Sequence, residues 1–230
     1  MRSYVGAMHF DRGSRSLLSP RDLDRFSGST LFDAIAREAC AAHCLPRKEL
    51  YESWEVARRV RRHFRGGRIV DLACGHGLAA WMLMILDGGS RQAVSVDRRL
   101  PPSAARLRAI LAARFPQVAA RMTWSERELC DEPLYADDVV VAIHACGTLT
   151  DVVLQRASAV RARLAVLPCC HDLRASDRGD LSGWLEPALA IDVVRASRLA
   201  AAGYRVRTQT IPSAITARNR LLLGEPRVPH

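Results

Sequence analysis

The sequence predicts a doubly wound α/β fold: a seven-stranded, mostly parallel sheet behind a helical N-terminal extension. Three observations predict it. After Gly66-Gly67, short apolar or β-branched runs alternate with amphipathic segments of helical period. One run, Ile69-Val70-Asp71-Leu72, breaks into a glycine turn that opens a further helix-like stretch. Before that point the chain shows helical periodicity alone. Strands separated by helices need crossover connections, which are right-handed in nearly all cases and make neighbouring strands parallel. The expected division is residues 1–65 for the extension and 66–230 for the α/β domain.

Within the extension, Ser19-Pro20 reads as an N-cap followed by proline at the first helical position. Ser29 or Thr30 opens a second helix carrying Leu31, Phe32, Ile35 and Ala36, and a third begins near Pro46 and runs through Leu50, Trp54, Ala57 and Val60. The expected strands are Arg68 to Leu72, Ala93 to Val96, Met122 to Trp124, Val139 to Ile143, Leu164 to Leu167, Tyr204 to Thr210, and Arg220 to Leu223. Pro102 to Phe115 and Thr150 to Val160 are expected as helices between them. The last two strands lie close together, joined by the short IPSAITA stretch. The PRVPH tail is expected to fray.

At 230 residues and 49% hydrophobic content, the chain can bury one core of ordinary size. It lacks an apolar run of the roughly 18 residues that a membrane span needs, and its first residues lack the apolar block of a signal peptide, so a cytoplasmic protein with no membrane partner is expected. Seven cysteines, an odd number, predict reduced thiols rather than a disulfide framework. The net charge of +10 predicts attraction to anions, RNA and DNA among them. Lys48 is the only lysine, so the charge is arginine, densest at Arg58, Arg59, Arg61, Arg62 and Arg65. A solvated helix face explains that cluster as well as a nucleic-acid contact does.

The stretch Asp71-Leu72-Ala73-Cys74-Gly75-His76-Gly77 carries the first functional reading. A strand, a glycine turn and a helix let the backbone approach a ligand where a side chain at Gly75 or Gly77 would collide. Gly75-x-Gly77-x-x-Ala80, with Asp97 following Gly77 by 20 residues, also satisfies a dinucleotide fingerprint, so a nicotinamide oxidoreductase is the alternative. Asp71 separates the two. A carboxylate there repels a pyrophosphate and attracts the cationic amino-acid end of S-adenosylmethionine (SAM). Asp97 is expected on the ribose hydroxyls, Arg98 over the adenine, and Ser125 or Glu126 at the adenine edge. DLACGxG resembles motif I of the class I SAM-dependent methyltransferases, departing from it at Ala73, where glycine is common. The resemblance implies SAM as cofactor, and seven strands with a late antiparallel insertion suit that class.

Residues that follow the fourth and fifth strands face the second substrate in such a sheet. Two polar clusters fall there: His144-Ala145-Cys146-Gly147-Thr148-Leu149-Thr150-Asp151, and Pro168-Cys169-Cys170-His171-Asp172. Singly, these residues read as turn formers, caps and small apolar fillers. Together, at corresponding ends of adjacent strands, they mark a site. HACGTLTD and PCCHD are similar to the paired signatures of the eukaryotic tRNA acceptor-stem 2′-O-methyltransferases and, more loosely, to the wider methyltransferase-domain family with CG and CC motifs at these strand ends. The segment around Asn219-Arg220-Leu221-Leu222 has a similar counterpart there, so the resemblance covers roughly residues 66 to 224. It implies RNA, tRNA in particular, as the acceptor. Departures are Ile143 in place of a lysine, Asp172 in place of a second histidine, and no cysteine-and-histidine zinc module at the N-terminus. Cys40-x-x-His43-Cys44 lies on one helical face, but no complete four-ligand metal site is visible and packing is the plainer role.

Methyl transfer to a hydroxyl requires removal of its proton, and histidine titrates in the right range. His144 or His171 is the expected base, with Asp172 or Asp151 as its orienting carboxylate, and Cys146, Gly147, Cys169 and Cys170 on the substrate side. A thiol nucleophile at Cys169 or Cys170 is a further possibility. A protein or small-molecule methyltransferase, or a fold retained as a binding module, are the competing readings.

Overall fold

The computed structural model describes residues 10–227; residues 1–9 of the expected extension and residues 228–230 of the PRVPH tail lie outside the described residues. Ser19 opens a short 3₁₀ helix over Pro20–Phe26, with Asp22 accepting the Ser19 N–H at 3.1 Å. Helix α1 (Leu31–Ala42) starts at Thr30, whose hydroxyl accepts the Asp33 N–H. Helix α2 (Arg47–His63) ends at Phe64, before Gly66 and Gly67, both at positive φ.

The α/β part then runs β1 (Ile69–Leu72), α3 (Leu78–Leu86), β2 (Ala93–Asp97), α4 (Ala104–Arg114), a single turn α5 (Pro116–Ala119), β3 (Met122–Glu126), β4 (Val139–Ala142), α6 (Leu149–Ala159), β5 (Arg163–Val166), α7 (Pro187–Ala201), β6 (Tyr204–Thr210) and β7 (Arg220–Pro226). Every expected strand forms, the sixth with the expected ends and the others with one or both ends shifted by at most three residues. The sheet order is β3-β2-β1-β4-β5-β7-β6, parallel except for β7, which is antiparallel to both neighbours. The order reverses between β1 and β4, and the crevice above their carboxyl ends is where such a sheet binds ligands.

Alternate residues of the strands face opposite layers. Ile69, Val139 and Val141 pack with Ile35, Ala39, Leu50, Val56 and Val60 of the first two helices and with Leu83 of α3. Val70, Leu72, Val140 and Val166 pack with Leu154 of α6 and Leu199 of α7. The N-terminal helices therefore share one core with the sheet. Arg61 is part of the seam: its side chain is 3% exposed, donates to the carbonyls of Leu83 and Phe64, and pairs with Asp87 at 3.0 Å. Arg58 and Arg59 pair with Glu55, and Arg65 donates to the Leu86 carbonyl. Of the densest arginine cluster, Arg61 is thus built into the fold, while Arg58, Arg62 and Arg65 are exposed, as a solvated helix face requires. Cys40 and Cys44 are buried in the same core, while His43 is exposed in the left-handed cap of α1, so this trio does not converge on a metal. Among the described residues, no helix is long and apolar enough to cross a membrane.

Candidate active site

At the end of β1 the chain turns through Ala73, Gly75 and Gly77, all in the left-handed region (φ 55, 54 and 70). Glycine adopts that region without steric cost, whereas an alanine pays about 1–2 kcal/mol, which is why glycine is the usual residue at position 73 of the motif. The turn serves two purposes. A Cβ on Gly77 would lie 2.3 Å from the Trp124 ring, so this glycine lets α3 pack on β2 and β3. A Cβ on Gly75 would meet no heavy atom within 4 Å, so the backbone there is open to a ligand.

Two carboxylates frame the turn. Asp97 accepts the Gly75 N–H at 2.8 Å and the Arg99 N–H at 3.2 Å, fixing the end of β2 against the glycines with lone pairs left to accept hydroxyls. Asp71 is 2% exposed and accepts only the Ala80 N–H, at 3.2 Å. Burial pushes its carboxyl up to about 7. A buried carboxyl short of hydrogen bonds is the partner a cationic amino-acid group needs, and the open backbone at Gly75 suits a closely approaching ligand, so these residues fit SAM. Farther out, Glu126 accepts the Leu100 N–H and Arg98, its side chain 81% exposed, pairs with Glu128.

Beneath the turn lies a cavity of about 10 Å³ bounded by Asp71, Ala73, His76, Glu49, Ser53 and His144. Four of these six come from β1, the turn after it and the loop after β4; Glu49 and Ser53 come from α2, and sequence reasoning missed both. The available signal was polar residues on a helical stripe, since Glu49, Ser53, Val56 and Val60 share the spacing of one face. His76, also missed, hydrogen-bonds Ser103 at 3.0 Å and stands 3.6 Å from Glu49. Behind them, Glu52 is 1% exposed and 3.4 Å from Lys48; burial pushes its carboxyl up, opposed by Lys48, His144 and Thr216.

The structure separates the two candidate histidines. His144 lines the cofactor-side cavity with Asp71. His171 has a side chain only 2% exposed, and its Nε2 bonds Asp192 Oδ1 at 2.8 Å. The carboxylate that orients His171 is therefore neither Asp172 nor Asp151. Asp172 accepts the N–H groups of Ala175 and Arg174, which hold its carboxyl below the ordinary range. Asp151 takes both prongs of Arg195 at 2.8 Å. Arg195 also donates to the Gly147 carbonyl and pairs with Asp192, which receives Arg220 at 2.7 Å as well. Burial alone would raise the Asp192 carboxyl, but the bonds from His171 and Arg220 hold it low.

This network ties the two sequence clusters together. Gly147, at φ 61, donates its N–H to the Cys170 carbonyl, and Cys146 Sγ stands 3.0 Å from Cys169 Sγ. Burial pushes both thiols up, and for Cys169 the adjoining thiols add to it, so neither is an activated nucleophile.

The sheet order, the turn and its carboxylates are those of the class I SAM-dependent methyltransferase architecture, which implies SAM as cofactor. The chain belongs to the methyltransferase-domain family, whose sequence profile matches residues 48–176. No curated protein matches it. Among solved structures it is similar to an O-methyltransferase family protein from Burkholderia thailandensis, with a TM-score of 0.53 and 19% identity over 93% of this chain and 64% of the other. It is also similar to the ribosomal protein L11 methylase from Lactobacillus delbrueckii subsp. bulgaricus, with a TM-score of 0.51 and 11% identity over 79% of each chain. The mitomycin 7-O-methyltransferase MmcR gives a TM-score of 0.50 and 18% identity over 91% of this chain and 63% of that one. At such identities the likeness is one of fold. The chain spans under two thirds of the length of the first and third of these proteins.

Proposed function

We propose that the chain transfers the methyl group of SAM to an oxygen of a small molecule held over the carboxyl ends of β4 and β5. The observation that carries this reading is the joining of the two polar loops at the carboxyl ends of β4 and β5, where the Gly147 N–H donates to the Cys170 carbonyl. Beside the β5 loop, at Pro168, and separate from the cavity that His144 lines, a cavity of about 540 Å³ opens between α7 and the β6–β7 pair. Pro168, Leu189, Val193 and Leu222 give it apolar walls, and Asp192 and Thr208 supply polar edges. That volume and mixture belong to small-ligand sites. The names of two fold relatives, both O-methyltransferases, agree with it.

SAM supplies a sulfonium-bound methyl group, and the protein's task is to bind, align and deprotonate. Asp71 meets the cofactor's ammonium group, Gly75 gives backbone access, and Asp97 accepts the ribose hydroxyls. Arg98 and Glu126 flank the adenine side. His144, beside Asp71 at the end of β4, takes the acceptor's proton on a ring nitrogen. His171 is a positioning residue that anchors the Cys169–Cys170 loop to Asp192 of α7. The paired HACGTLTD and PCCHD motifs support a second reading, tRNA-like 2′-O-methylation.

The test is methyl transfer from labelled SAM to a panel of hydroxylated small molecules and, separately, to total tRNA, with wild-type protein and His144→Gln. We expect product in the small-molecule arm, a loss of roughly 10²–10⁴-fold in kcat for the variant, and unchanged affinity for S-adenosylhomocysteine. Salt-sensitive labelling of tRNA alone would replace the first reading by the second. Wild-type protein that binds no S-adenosylhomocysteine would remove both.

A further inference from the structure

The sulfur atoms of Cys146, Cys169 and Cys170 lie within 4.8 Å of one another, and the methyl-transfer reading gives them no role. Cys146 follows β4; Cys169 and Cys170 follow β5. Cys146 and Cys170 are exposed and Cys169 is half-buried, so the group does not serve as apolar filling. Residues 167–172 form no regular structure, which lets the adjacent side chains of Cys169 and Cys170 turn to one side instead of alternating as they would along a strand.

Both loops are braced. The Gly147 N–H donates to the Cys170 carbonyl at 3.1 Å, Thr150 Oγ1 to the Ala145 carbonyl at 2.6 Å, and Arg195 to the Gly147 carbonyl at 3.1 Å. Asp172 caps the turn that follows. Positions held this way bring the sulfurs together before any ion arrives. The spacing is informative. Three sulfurs bonded at ~2.3 Å to one tetrahedral ion stand roughly 3.8 Å apart. That lies between the 3.0 Å of the closest pair and the 4.8 Å that bounds the set.

We propose that Cys146, Cys169 and Cys170 form a zinc(II) site at the carboxyl ends of β4 and β5. Three soft sulfur donors in a tetrahedral arrangement select zinc over the oxygen-loving cations. Among the described residues, no fourth histidine, cysteine or carboxylate joins the group, so one coordination position stays open, as in zinc sites that bind a water or substrate. Loading replaces the three thiol protons with the metal and releases them to solvent. The site is independent of the acceptor's identity.

The protein, purified under reducing conditions and stripped with a chelator, is titrated with zinc(II) against a chromophoric competitor and, separately, with cobalt(II). One equivalent of zinc and a thiolate-to-cobalt charge-transfer band are expected. Cys146→Ser and Cys169→Ser should each weaken zinc binding by more than the roughly 10–100-fold that even outer contacts of a metal ligand cost. Cys130→Ser, an exposed cysteine outside the group, should leave the stoichiometry at one. Binding of S-adenosylhomocysteine by each variant reports that it is folded and tests the cofactor site separately. The proposal fails if the reduced protein binds no zinc, if it retains zinc when all three cysteines are serine, or if the cobalt band is absent.

Discussion

Asp71 is the residue at which burial and charge are most directly opposed. Burial raises its carboxyl to about 7, Asp97 adds to the rise, and a single backbone hydrogen bond opposes it. Because the folded pKa lies above the unfolded one, the penalty for the charged form is absent below the ordinary carboxylate range and complete above about 7. An ammonium group placed against Asp71 reverses that penalty. Affinity for S-adenosylhomocysteine should therefore fall by up to about tenfold per pH unit below 7 and level off above it. Titrations below pH 7 in buffers of different ionisation heat should reveal a released proton, and Asp71→Asn should bind weakly with a flat profile. A wild-type affinity that does not vary with pH in this range would contradict the assignment. The meeting of Asp71, Gly75, Gly77 and Asp97 about one turn was legible in the sequence because strand, glycine turn and helix are consecutive and leave little choice of geometry. The strain at Ala73 was legible only as a departure from a pattern.

At the scale of elements, the seven strands and the late antiparallel one were legible because period-2 and period-3.6 patterns alternate cleanly after Gly67. Helix α7 was not identified, and with it Asp192 and Arg195 were missed. These two residues meet His171 and Asp151 across 21 and 44 residues of chain, a pairing that no local spacing encodes. One trace was present: Ala188, Ile191, Arg195 and Leu199 share a buried stripe, and an arginine on an apolar stripe needs a partner. The Arg195 side chain is 2% exposed and holds Asp151 through two hydrogen bonds. Arg195→Ala should cost about 1–3 kcal/mol, because it takes the two-pronged donor from Asp151 and leaves the Gly147 carbonyl short of a partner. The check is the urea midpoint at unchanged slope. Arg195→Lys should recover little of the loss, since an ammonium cannot reproduce the two-pronged contact.

At the scale of the whole molecule, the net charge of +10 is legible in composition, but where the charge goes is not. Arg61 donates to Leu83 and Phe64 carbonyls, Arg163 to those of Arg65, Gly66 and Asp137, and Arg156 to those of Leu129 and Glu132. Arg68 pairs with Asp138 and Glu132. Arg68 and Arg163 stand at the amino ends of β1 and β5, opposite the crevice. These four arginines therefore serve the fold itself, while others, Arg91, Arg99, Arg108 and Arg178 among them, are exposed and leave their charge to the surface.

The cavity beneath the glycine turn is about 10 Å³, roughly the room for one water-sized sphere. His76 spans it from Ser103, at the start of α4, to Glu49 on α2, like a latch between two walls. The consequence is kinetic: a ligand larger than water waits for the latch to lift, so at high concentration its observed binding rate should saturate at the opening rate instead of rising linearly. Stopped-flow fluorescence with S-adenosylhomocysteine would show that plateau, and His76→Ala should raise it; a linear rise in the wild type would mean the turn is already open.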